Sequence, residues 1–76
     1  MTQNSETLFK KGVEYLRNGN FNEAENCFEE LKNTHPTNKD ILNNLLISCF
    51  QNKKFQKSEK LIRNMFDLGF KDIKLV

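Results

Sequence analysis

Shifted by 34 residues against itself, this 76-residue chain superposes Leu8 on Leu42, Asn18 on Asn52, Phe21 on Phe55 and Glu25 on Glu59. The same shift sets Val13 on Ile47, Leu16 on Phe50, Ala24 on Ser58, Phe28 on Ile62 and Leu31 on Met65. This self-match constrains the fold more than composition does. Each half is one supersecondary unit, too small to bury its apolar face alone, so the units must stack. Polar breaks at Asn18-Gly19-Asn20, at Asn33-Thr34-His35-Pro36-Thr37-Asn38 and at Asn52-Lys53-Lys54 divide the chain into four amphipathic segments, which reads as four helices in two hairpins.

The first helix is expected from about Ser5 to Arg17, with Leu8, Phe9, Gly12, Val13, Tyr15 and Leu16 on one arc. The second starts at Phe21, with Asn20 as N-cap and Glu23 near the positive end of the dipole. Its apolar side is narrower: Phe21, Ala24, Cys27, Phe28 and Leu31. The third, from Lys39 to Gln51, carries Ile41, Leu42, Leu45, Leu46, Ile47, Cys49 and Phe50 around well over half of the wheel. A helix apolar nearly all round is surrounded, so this one should be the centre of the domain. The fourth, Phe55 to Leu68, sets Phe55, Ser58, Leu61, Ile62, Met65, Phe66 and Leu68 on one side and ends near Gly69.

Composition agrees with one soluble folded domain over residues 1–76: 37% hydrophobic residues are too many for a disordered chain, and 29% charged residues are ordinary. A core of this size supplies only about 3 to 5 kcal/mol of net stability, so a fold of local contacts is expected. The net charge is +2, with both signs mixed along the chain. That pattern makes no electrostatic case for nucleic acid or an anionic membrane. Cys27 and Cys49 lie inside apolar helical patterns without metal or redox spacing, which reads as buried reduced thiols and no metal site. No stretch is apolar enough to span a bilayer and Met1 to Thr7 lacks the character of a secretory signal, so a cytoplasmic location is expected.

The first half resembles a tetratricopeptide repeat: Gly12, Tyr15, Gly19, Phe21, Ala24, Phe28 and Pro36 fall where that repeat places its small, aromatic and proline residues. The resemblance implies a small residue at Gly12 and Ala24 where two helices approach, and Phe21 and Phe28 filling space between hairpins. It also implies that Pro36 ends the second helix. Leu8, Lys11 and Leu31 depart from the motif in the first half. Leu46, Cys49, Ser58 and Phe70 do so in the second, which keeps register through the period and Phe55. The implied fold is all-α, two antiparallel helix-turn-helix hairpins stacked as a short right-handed α-solenoid, with repeats at 5–38 and 39–72 and a tail at 70–76. Residues 39 to 72 also look somewhat like a pentatricopeptide repeat, an RNA-reading relative, through Asn44-Leu45-Leu46-Ile47-Ser48, Glu59-Lys60-Leu61 and Met65 followed by Gly69-Phe70-Lys71-Asp72. In that family Asn44 and Asp72 would be the base-reading pair, and two units would read only about two bases.

The sequence offers no enzyme chemistry and calls for no cofactor. His35, the only histidine, precedes Pro36 in a turn, and no second ligand stands at metal spacing. Glu25, Glu29, Glu30 and Asp67 read as solvated helix faces. If the resemblance extends to geometry, Phe9, Val13, Leu16 and Arg17 of the first helix lie beside Asn43, Ile47 and Phe50 of the third and form a mainly apolar groove. The expected function is a small adaptor or chaperone-like module that binds a hydrophobic or amphipathic polypeptide segment of another protein. The runner-up readings are a minimal RNA-binding repeat and a purely structural homo-oligomer. The carboxylate clamp of some tetratricopeptide domains is absent: Phe9 and Val13 occupy two of its positions, and only Asn44 and Lys74 could match others.

The fourth helix has an apolar arc of roughly 160°, wider than one-sided packing requires. Leu61, Met65, Phe66 or Leu68 should then remain uncovered, and a symmetric homodimer through this helix is the expected outcome. The rival is a fold-back of the tail, with Phe70, Ile73, Leu75 and Val76 as a makeshift cap.

Overall fold

The computed structural model of the protein describes residues 4–73. Lys74, Leu75 and Val76, and with them part of the expected tail cap, lie outside the described residues. Four α-helices follow in order: α1 (Ser5–Arg17), α2 (Phe21–Thr34), α3 (Lys39–Gln51) and α4 (Phe55–Asp67). Each packs on the next, and α1 also touches α3, giving two stacked helical hairpins.

The repeat is visible in how the helices begin and end. Asn4 and Asn38, 34 residues apart, cap α1 and α3: each side-chain oxygen accepts from the backbone N–H three residues on, Thr7 at 2.9 Å and Ile41 at 3.1 Å. Asn20 precedes α2 as expected, but its side chain makes no capping bond. α1, α3 and α4 end alike. Gly19 donates to Leu16 and Asn20 to Tyr15; Lys53 donates to Phe50 and Lys54 to Cys49; Gly69 donates to Phe66 and Phe70 to Met65. These paired bonds satisfy the last carbonyls and need a left-handed residue just past the helix. Gly19 (φ 80°) and Gly69 (φ 89°) meet that need freely, whereas Lys53 adopts φ 62° with a β-carbon in the way.

α3 is the centre of the core, as its all-round apolarity predicts. Its Leu42, Leu45, Leu46 and Cys49 are fully buried, with Ala24 and Phe28 of α2 and Met65 of α4. α1 contributes Leu8 and Gly12. A β-carbon at Gly12 would lie 2.6 Å from Cζ of Phe28, so the missing side chain is what lets α2 bring that ring against α1. The Phe28 ring also meets Phe9 edge-on, with centroids 5.6 Å apart.

Glu25 corrects the expectation of a solvated acid. Its side chain is only 4% exposed and is held by the turn between α3 and α4 and by the first turn of α4. Asn52 donates to Oε1 at 3.3 Å, Lys54 Nζ lies 3.0 Å from the same oxygen, and Lys57 donates to Oε2 at 2.6 Å. Lys57 also pairs with Glu29. Burial by itself raises the Glu25 pKa, but the hydrogen bonds from Lys57, Lys54 and Asn52 and the Lys57 charge outweigh it and hold the carboxyl below its usual range. Burial lowers the Lys57 pKa, and Glu25 and Glu29 more than reverse this. Four polar groups thus join the second helix of one hairpin to the turn and second helix of the other. The 34-residue counterpart, Glu59, is exposed and pairs with Arg63 on its own helix.

On α4, Ser58, Leu61 and Met65 are buried, Ile62 is half-buried, and Phe55, Phe66 and Leu68 are exposed. Leu61 and Met65, expected among the uncovered residues, belong instead to the core cluster shared with α3. Met65 is fully buried and Leu61 is only 5% exposed. Part of the tail does fold back: Phe70 and Ile73 are half-buried against the core, and Asp72 pairs with Lys39 at the start of α3 at 3.6 Å.

Candidate functional site

The expected groove residues repeat with the chain: Phe9, Val13 and Leu16 on α1 are the 34-residue counterparts of Asn43, Ile47 and Phe50 on α3. Spacings of four and three residues put each trio on one helix face, and α1 and α3 are in contact. Phe9, Val13 and Leu16 are half-buried, packed with one side against the core. Asn43 and Ile47 are half-buried and Phe50 is exposed. Phe50 leans edge-on against Phe55 of α4, centroids 5.6 Å apart, and Arg17 is exposed at the end of α1. These side chains stand partly out of the core as a low apolar surface. Phe9 is the most committed of them, since its ring also packs on Phe28.

Among the described residues, two cavities adjoin this surface and a third lies apart from it. One of ≈ 220 Å³ opens beside Phe9, between Ser5 and Glu6 of α1 and Asp40 and Ile41 of α3. His35 lies at its rim as an exposed turn residue, with Nε2 3.1 Å from the Ser5 hydroxyl. A second, of ≈ 460 Å³, is lined by Lys39, Asp40, Asn43, Asn44, Lys71, Asp72 and Ile73. It brings Asn44 and Asp72 together. The Asn44 amide donates to the Asp40 carbonyl at 2.9 Å. A third, of ≈ 550 Å³, lies between the end of α2 and α4, floored by Leu45, Leu61 and Leu68 and edged by Lys32, Lys57 and Lys60.

Cys27 and Cys49 are free and buried. Burial pushes the Cys49 thiol up to about 11, with the Glu25 charge adding to the effect, and burial likewise raises Cys27. Neither is a poised nucleophile. Among the described residues, no group of His, Cys, Asp or Glu is placed to hold a metal ion, and no helix is long and apolar enough to cross a membrane. Sequence reasoning missed the Glu25 cluster. The available signal was Lys54 before α4 and Lys57 in its first turn, with no equivalent basic residues at Asn20 and Glu23 in the first unit.

No curated protein and no solved structure matches the chain significantly. Two repeat families do. Residues 5–38 match the tetratricopeptide repeat, the unit that holds Gly12, Phe28 and the first half of the apolar surface. Residues 40–70 match the PPR repeat, the unit that holds Asn44, Ile47 and Phe50. The chain is therefore a helical-repeat protein of two stacked hairpins, similar to a tetratricopeptide repeat in its first unit and to a PPR repeat in its second.

Proposed function

We propose that the protein is a small non-enzymatic adaptor that works as a homodimer in the cytoplasm. It binds a hydrophobic or amphipathic segment of another polypeptide along α1 and α3. The observation that carries this reading is the run of Phe9, Val13, Leu16, Ile47 and Phe50, which all keep part of their apolar surface exposed on adjoining helices. Apolar area left open at this spacing matches the i, i+3, i+4, i+7 anchors of an amphipathic helix. Arg17 and Asn43 supply polar contacts at the rim. The match of residues 5–38 to the tetratricopeptide repeat supports a protein ligand, and the two free buried thiols support a reducing compartment.

The test is fluorescence anisotropy with a panel of labelled amphipathic helical peptides. Phe9→Ala and Ile47→Asp should weaken the best peptide about 30-fold, the effect of losing a central apolar anchor, while Lys10→Ala and Lys60→Ala should change it little. Undiminished binding by an Ile47→Asp protein with a native circular dichroism spectrum refutes the groove.

A second reading is favoured by one observation: Asn44 and Asp72, the pair that the pentatricopeptide resemblance would use on a base, line one cavity. Weak, salt-sensitive and sequence-indifferent binding of single-stranded oligonucleotides is the expected result for two repeats at a net charge of +2. Sequence-selective binding at physiological salt that disappears in Asn44→Ala would put the RNA reading first.

A further inference from the structure

α4 carries an exposed stripe whose counterpart in the other half of the chain is covered. Phe55, Glu59, Ile62, Arg63 and Phe66 are the 34-residue counterparts of Phe21, Glu25, Phe28, Glu29 and Lys32 on α2. On α2 each of these five is buried or half-buried. On α4 the same stripe is more open: Phe55 is 57% and Phe66 59% exposed, the Glu59–Arg63 pair, 3.3 Å apart, stands 71% and 77% exposed, and Ile62 between them is half-buried. Phe66 replaces a lysine, so this face is also more apolar than its counterpart. The folded-back Phe70 and Ile73 leave it uncovered.

We propose that this stripe pairs antiparallel with the same stripe of a second copy about a two-fold axis. The proposal rests on the dimeric state put forward above and assigns its surface. Residues 55 and 66 are equally distant from the midpoint between residues 60 and 61. A two-fold axis there sets Phe55 of each copy against Phe66 of the other, with Ile62 of both near the centre. The mirror position of Arg63 is Ser58, next to Glu59, so each Arg63 reaches the Glu59 of the other copy. The stripe is self-complementary in the spacing of its apolar residues and in charge, as an isologous contact requires. Head-to-tail stacking, with α1 of a second copy taking the place α3 takes on α2, fits worse. Where α3 presents buried Leu45 and Ser48, α1 presents exposed Lys11 and Glu14, and those charges would be buried without partners.

Charge exchange tests the surface. Dimer dissociation of the full chain is measured by sedimentation equilibrium in low salt, with circular dichroism confirming the fold. Glu59→Arg or Arg63→Glu alone sets like charges across the axis and should raise the dissociation constant about tenfold. The double exchange restores complementarity and should bring it back. Phe66→Asp, at an exposed position that the fold does not need, should weaken the dimer about a hundredfold. A dimer indifferent to Glu59→Arg and Phe66→Asp overturns the assigned surface and leaves the dimer standing. Single exchanges that weaken the dimer without rescue by the double one overturn the two-fold pairing. A monomer at every concentration overturns both the surface and the dimer.

Discussion

Replacing Glu25 by glutamine tests whether the polar cluster between the hairpins holds the repeats together. The substitution keeps the side-chain shape, removes the charge that Lys54 and Lys57 share, and turns an amide N–H₂ toward one of them. The carboxylate is 4% exposed while Lys54 and Lys57 are 45% and 41% exposed. The lysines can therefore rehydrate, and the full penalty of a stranded buried charge does not apply. A hydrogen bond to a charged group contributes about 1.5 to 3 kcal/mol when buried, and discounting for the half-exposed donors leaves a loss of about 2 kcal/mol. That is roughly half of what a core of this size supplies, and it should lower the melting temperature by about 8 to 16 °C. Urea and thermal unfolding followed at 222 nm read it directly. Glu59→Gln is the internal control: it has the same chemistry at the equivalent position, but 71% exposed, and should change stability by less than about 0.5 kcal/mol. The pH dependence has a definite sign. Because the folded-state pKa of Glu25 is lowered, its contribution is present above the ordinary value of 4.5 and is lost as pH falls through the lowered one. The gap between the native protein and Glu25→Gln should accordingly be full at pH 7 and close in acid. Equal losses for Glu25→Gln and Glu59→Gln, or a gap that does not narrow at low pH, would refute the reasoning.

Lys53→Gly should stabilise the protein by about 0.5 to 1 kcal/mol, raising the melting temperature by a few degrees. It relieves the left-handed conformation at φ 62° by more than the added freedom of the unfolded chain takes back; a loss of stability in the same melts would refute it. Gly12→Ala should destabilise by about 1 to 3 kcal/mol, because the new methyl would sit 2.6 Å from a ring that is fully buried; an unchanged urea midpoint would show that α1 and α2 separate without penalty. Iodoacetamide at pH 8 should leave Cys49 unlabelled in the native protein and label it fully in denaturant, since its thiol is buried and titrates at about 11. The raised value also means that the unfolded chain ionises first as pH climbs above the ordinary value of 9.0, so stability should fall there, and Cys49→Ser should weaken that alkaline loss.

The helices, their order and their grouping into hairpins were legible in the chain itself. They depend on local rules: apolar spacing, Asn-containing polar breaks and a proline, and the period of 34 tied one half to the other. α3 could be placed at the centre because a helix apolar on nearly every side has to be surrounded. Periodicity also predicted that α4 holds more apolar surface than its neighbours cover. What it did not reveal was which of those side chains turn inward. Leu61 and Met65 lie toward α3, and one quarter-turn further round Phe55 and Phe66 are exposed and Ile62 is half-buried. That division is set by the crossing of α4 over α3, a relation between segments that neither segment encodes. The same holds for Glu25 and Glu59, identical residues at equivalent positions. Only the first becomes a buried anchor, because a second hairpin exists to bring Asn52, Lys54 and Lys57 onto it. Local sequence decided which face of each helix is apolar. Tertiary packing decided which part of that face is already used, and burial and the burial-driven pKa shifts follow from that packing.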